Sequence, residues 1–266
     1  MRRSFGLLAV LGAGYAFLYL PILLLIVFSF NESRLVTVWA GFSTRWYGEL
    51  LRNERVLDAA WLSLAAAATS ATIATIIGGL GGFVLARYGR FAFRWLFAAL
   101  IAVPLIMPEV VTGLSLLLTF VSIDRVVGLE RGFGTLVVAH ATLSLAFVAA
   151  IVQARMSGLD PSIEEAAYDL GARPVTVFLR ITVPMLGPAL IAGWLLAFTL
   201  SLDDLVVASF VTGPGATTLP MVIFSSVRLG LSPQVNALAA ILVIVVACLA
   251  VLAARVNRQR SVFDPS

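Results

Sequence analysis

Lysine does not occur in this chain; all 18 of its basic residues are arginine. A Walker-type phosphate loop needs a lysine to reach the phosphates, so the chain cannot hold ATP in such a site. A Schiff-base nucleophile is excluded on the same ground. One histidine, His140, and one cysteine, Cys248, leave no set of metal ligands, no Cys–His nucleophile pair and no internal disulfide. No catalytic constellation remains, and the chain does not read as an enzyme. Charge is scarce too: charged residues make up 12% of the chain, about half the usual share. The net charge of +4 is too diffuse for a nucleic-acid groove, and no motif for one is present.

Apolar residues fill the space that charge leaves. They make up 61% of the 266 residues, and the mean hydropathy is +1.03. A soluble globule of this size cannot bury that much apolar surface, and a disordered chain does not carry it. The solvent of this protein is therefore largely the lipid bilayer.

Uncharged runs place six candidate membrane helices at about 7–29, 60–86, 95–120, 133–154, 182–202 and 235–254. Each approaches or exceeds the roughly 20 residues that a span needs. The third is interrupted only by Glu109. A further uncharged run, 205–227, carries Gly213-Pro214-Gly215 and Pro220 at its centre, which break a helix. It is expected to be a re-entrant or surface hairpin, because irregular backbone at membrane depth survives only where protein or a watery cavity satisfies it. The first run is too long for a signal peptide and no cleavage site follows it, so it should remain as an anchor.

With six spans, eleven arginines fall on one side and seven on the other. The arginine-rich side should be cytoplasmic, which puts both termini inside. The whole of 1–266 reads as one transmembrane domain. Trp39, Trp46 and Tyr47 are expected in the outer interface, as belt aromatics are. The glycines at 78, 79, 81 and 82 should allow close helix packing.

The loop between the fourth and fifth spans, about 155–184, reads Asp160-Pro161-Ser162-Ile163-Glu164-Glu165-Ala166-Ala167-Tyr168-Asp169-Leu170-Gly171-Ala172-Arg173-Pro174. Asp160 can cap a helix that opens on Pro161, acids crowd its first turn, and Gly171 sits where a helix ends in a left-handed residue. Pro174 can start a second short helix running to Pro184. The pair should form a helix–turn–helix whose small residues, Ala166 and Ala167, offer a close-contact face.

The spacing of Glu165-Ala166-Ala167, Gly171, Ile181 and Val183-Pro184 resembles the EAA loop of ATP-binding-cassette importer permeases, with Val183 where the family has leucine. The resemblance covers about 58–255. It implies the type I importer permease fold, all-α with six transmembrane helices, in the bacterial inner membrane. It implies that Glu165, Ala166, Ala167 and Gly171 couple the chain to an ATPase. The partners it implies are a second, similar permease, an ABC ATPase dimer and a soluble external binding protein. ATP is then used on the ATPase, and this chain binds no cofactor.

The stretches Ser201-Leu202-Asp203-Asp204, 208–220 and Met107-Pro108-Glu109-Val110-Val111-Thr112-Gly113 are similar to the polyamine branch of these permeases. They point to putrescine ahead of spermidine. Glu109, Asp203 and Asp204 are the acids that a cation would meet in a membrane path, since an unpaired carboxylate there is costly. Equally, Glu109 would pair with an arginine of a neighbouring subunit, and either aspartate would cap a helix. His140 reads as a satisfied polar residue between helices and Cys248 as packing. The alternatives are another solute, or a stand-alone secondary transporter or channel, which would explain the helices and acids but not the EAA spacing.

Overall fold

The computed structural model describes residues 2–35, 38–229 and 233–244. Among these the chain is helical, and its one β-type pairing is an isolated bridge between Asn31 and Phe42. The helices are α1 (Arg2–Phe28), α2 (Arg45–Leu50), α3 (Glu54–Arg87), α4 (Arg94–Ile106), α5 (Glu109–Val127), α6 (Phe133–Ser157), α7 (Ser162–Asp169), α8 (Pro174–Val177), α9 (Val183–Asp203), α10 (Val206–Val211) and α11 (Leu219–Leu229). A last helix, α12, covers Pro233–Ile244. Five helices are long and apolar enough to cross a membrane: Val10–Phe28 within α1, then α3, α5, α6 and the continuous run Pro174–Asp203.

Three expectations are corrected. The third span is not one helix over 95–120 but two, α4 and α5. Pro108 forces Met107 into an extended conformation (φ −77°, ψ 137°) and has no N–H to continue the ladder. Glu109 consequently opens α5, at the break between the two helices, rather than lying in the middle of one helix. The second short helix of the 155–184 loop does not stop at Pro184. Pro184 cannot donate to the carbonyl one turn back, and the chain passes through a π turn (Phe178–Thr182) directly into α9. Trp46 is not a belt aromatic: it is 4% exposed and its Nε1–H donates to the Asn31 carbonyl at 2.6 Å. The sixth expected span reaches beyond the described residues; α12 is its visible beginning.

The chain divides into two compact units, residues 58–222 and residues 1–57 with 223–266. In the second of these, no residue of the α1 apolar window is buried by the chain. The loop after α1 is folded around Asn31, fully buried, whose side chain donates to the Val38 carbonyl at 2.7 Å and accepts from the Ala40 amide at 3.0 Å. Ser29 Oγ meets the Tyr47 hydroxyl at 2.6 Å, and Glu49 accepts from Arg45 at 2.6 Å and from Gln234 at 3.0 Å. These two donors, Arg45 first, hold the Glu49 carboxyl below its ordinary range.

In the unit 58–222, α6 is the most covered of the spanning helices. It packs on α3 through glycine: a Cβ at Gly78 or Gly82 would lie 2.4 Å from the carbonyl oxygens of Leu145 and Ala149. Lipid tails are as apolar as leucine, so this association rests on dispersion between close backbones rather than on escape from water. One core gathers Ala66, Phe120, Leu136, Val207 and Val211; a second gathers Ala74, Val148, Val152, Met156 and Leu186.

Candidate functional site

The expected coupling loop is a capped helix. Asp160 Oδ1 accepts the Ser162 amide at 3.0 Å, and this hydrogen bond is the main cause of the lowered Asp160 pKa. At the other end Gly171 takes φ +81°. The Ala172 amide donates to the Ala167 carbonyl at 3.0 Å and the Gly171 amide to that of Tyr168 at 2.8 Å. That pair of bonds is the Schellman closure, which satisfies carbonyls that a helix end leaves bare. Glu165, Ala166 and Gly171 are exposed and Ala167 is half-buried. Leu170 beside them is 89% exposed.

Glu164, one residue earlier, faces the other way. Its Oε2 lies 2.8 Å from Arg87 Nε at the end of α3, and its Oε1 accepts the Thr182 hydroxyl at 2.6 Å at the end of the π turn. The sequence reading passed over Glu164, Arg87 and Thr182. A pair of adjacent glutamates on a short helix was the available signal, since one of two neighbours must point away from the face of the other.

The acids at the end of α9 are also divided. Asp203 is exposed and closes the helix. Asp204 is extended (φ −66°, ψ 126°) and its side chain is 10% exposed. It accepts the Val207 amide at 3.2 Å and the Ala208 amide at 2.7 Å, holding the first turn of α10. His140 Nε2 lies 3.2 Å from the same carboxylate, His140 Nδ1 lies 2.5 Å from Ser201 Oγ, and Ser70 Oγ donates to Ser201 Oγ at 3.1 Å.

A carboxylate only accepts, so Nε2 carries a proton toward Asp204. The chain of contacts joins α3, α6 and α9 to the start of α10. His140 is thus satisfied between helices, 2% exposed. Ser70 and Ser201, which lie 131 positions apart, gave no sequence signal as a pair.

Glu109 sits exposed in the first turn of α5, where a carboxylate complements the helix dipole. Four residues on, Gly113 backs onto Phe210 of α10: a Cβ there would lie 2.7 Å from the ring. The structure therefore brings the helix that Glu109 opens against the helix that Asp204 holds. Among the described residues no ion pair engages Glu109 or Asp203. Nor does any group of three His, Cys, Asp or Glu side chains gather there that could hold a metal. At the far end of α10, Thr135 Oγ1 donates to the Val211 carbonyl at 2.8 Å, and Gly213 is pressed against the carbonyl of Arg131.

The sequence profile of the family described as "Binding-protein-dependent transport system inner membrane component" matches residues 78–262. The putrescine transport system permease protein PotI of Escherichia coli (strain K12) is 54% identical over 264 residues, covering 97% of this chain and 94% of the relative. The spermidine/putrescine transport system permease protein PotC of the same organism is 43% identical over 247 residues, covering 93% and 92%. The sulfate transport system permease protein CysT of Salmonella typhimurium is 32% identical, covering 76% and 74%. Among solved structures, a bacterial ABC transporter importing alginate superposes with a TM-score of 0.71 over 96% of both chains at 17% identity. A methionine ABC transporter superposes with a TM-score of 0.63 at 18% identity, covering 82% of this chain and 99% of the other.

Proposed function

The chain belongs to the family of binding-protein-dependent transport system inner membrane components, and we propose that it is the permease subunit of an ATP-driven importer that carries a polyamine, putrescine ahead of spermidine, into the cell. Identity of 54% to a putrescine permease over nearly the full length of both chains carries this reading. The likeness to a sulfate permease is weaker and shorter, and the exposed carboxylates of Glu109 and Asp203, with no arginine paired to them among the described residues, favour a cation over an anion.

The partners are a second, similar permease, an ABC ATPase dimer on the cytoplasmic side and a soluble binding protein outside. ATP is bound and hydrolysed on the ATPase, and this chain, which lacks any lysine, contributes a path and a lever. The lever is α7: Glu165, Ala166, Ala167 and Gly171 meet the ATPase, and its closure moves the permease pair between outward and inward access. The path runs past Glu109 and Asp203. Asp204, committed to three donors, anchors the break between α9 and α10 beside it. A diffuse dication needs only compatible charge along such a corridor, and the binding protein supplies most of the discrimination.

The test is uptake of radiolabelled putrescine and spermidine by cells lacking their own polyamine importers and supplied with this permease and its genomic neighbours. Saturable, ATP-dependent putrescine uptake is expected, with spermidine the poorer substrate. Uptake of an anion or a sugar, with neither polyamine carried nor competing, would reject the substrate and leave the fold untouched.

A further inference from the structure

We propose that Glu164 is the joint through which movement of α7 reaches the membrane helices, tying α7 at once to the end of α3 and to the base of α9; this rests on the importer reading above. Between α7 and α8 the covalent link is only 170–173, and it pivots on Gly171 at φ +81°. The other covalent link, 158–161 to α6, is as short, so without further ties α7 would hang on two four-residue links and pass little force onward. Glu164 removes that freedom because each of its oxygens has its own partner on a different helix: Oε2 to Arg87 at 2.8 Å and Oε1 to Thr182 at 2.6 Å.

The Arg87–Glu164 contact is a close charge pair rather than an aligned hydrogen bond, and it is sheltered from water. The Arg87 and Glu164 side chains are 17% and 14% exposed, and Thr182 is 2% exposed, so solvent screens the pair poorly. Phe83, one turn before Arg87, packs its ring against Phe178 at 5.0 Å, which joins α3 to the same π turn by an apolar contact. The charge of Arg87 also reaches Asp160, where it is a minor cause of the lowered pKa behind the Ser162 hydrogen bonds. The end of α3 thus holds the first turn of α7 through Glu164.

The point of attachment on α9 matters as much as the attachment. Thr182 closes the π turn, where the Val183 amide reaches back to the Phe178 carbonyl. A single wide turn is poorer in hydrogen bonding than the helix on either side and recurs at functional places in helices. A pull on Thr182 therefore acts where α9 yields most readily to rotation. Adjacent glutamates divide the work: Glu165 faces out to the ATPase, and Glu164 faces in to the permease.

The experiment uses the whole complex, reconstituted with its partners, and reads putrescine imported per ATP hydrolysed, normalised to assembled complex. Glu164→Gln and Arg87→Met should each lower that ratio about five-fold or more, the range of a real coupling free energy. Arg87→Lys, which keeps the charge, should recover part of it. The double variant should be no worse than the worse single, because both remove one interaction. A wild-type ratio in both singles, or losses that multiply in the double, would overturn the joint. Should Glu164→Gln fail to assemble, Thr182→Val removes one partner and keeps shape, and a normal ratio there overturns the joint equally. A wild-type complex that hydrolyses ATP yet imports no polyamine would instead defeat the importer reading, and the joint with it.

Discussion

Asp203 and Asp204 are neighbours in sequence with opposite environments, and single substitutions should separate them. Asp203 is exposed and in no ion pair among the described residues, so Asp203→Asn removes charge from the proposed path without breaking one. Its expected effect is a rise of about tenfold in the half-saturation for putrescine, the equivalent of about 1.4 kcal/mol, at normal membrane abundance. Asp204→Asn instead leaves its amide nitrogen facing either the Val207 amide, in place of Oδ1, or the Ala208 amide and His140 Nε2, in place of Oδ2. An unsatisfied buried donor costs about 1–3 kcal/mol, so this variant and His140→Ala should lower abundance or thermal stability of the purified chain, with the double no worse than the worse single. Kinetics of uptake alongside quantified protein decide between the two behaviours. If Asp203→Asn transports normally, the exposed carboxylate is not on the path. The paired acids were visible in the sequence, but their division was not: it depends on Ser70, His140 and Ser201 arriving from three helices.

At the scale of elements, what could be read in the sequence was whatever is local. The caps of α7, its acidic first turn and its closing glycine lie within about a dozen residues, and the structure has Asp160 and Gly171 in the expected positions. Gly78 and Gly82 of α3 mark its contact with α6 for the same reason, since only the absence of a side chain lets the backbones approach. The break at Met107–Pro108 was missed because hydropathy runs straight across it; only the backbone of proline betrays it. The continuity of α8 into α9 was missed because two prolines suggested a stop, whereas a π turn absorbs the missing donor of Pro184. Gly171 gives the sharpest test at this scale. A Cβ there would meet nothing within 4 Å, so only the backbone resists substitution. Gly171→Val should cost about 1–3 kcal/mol in strain and lower putrescine imported per ATP, while Gly171→Asn, which tolerates the left-handed region, should keep most coupling. Equal behaviour of the two variants would show that the turn conformation is not what the lever needs.

The whole molecule is governed by its arginines as much as by its apolar runs. Six crossings would divide the arginines eleven to seven, and an excess of arginine in short segments between crossings decides the orientation of a membrane chain. Inverting the chain would carry that excess across the membrane and put α7 on the side without ATP. The α4–α5 segment then crosses once, since α4, at 13 residues, cannot cross alone and α5 is long enough to do so. Orientation and the count of crossings are therefore one prediction. In a Cys248→Ser background, single cysteines replacing Arg90 and Arg258 should react with a membrane-impermeant thiol reagent only after the cells are opened. Cysteines replacing Phe42, which is 71% exposed, and Gly215, in the turn after α10, should react in intact cells. Labelling of position 258 from outside would require an odd number of crossings and dissolve the six-span arrangement. Labelling of position 90 from outside would invert the chain, and with it the face that α7 offers to the ATPase.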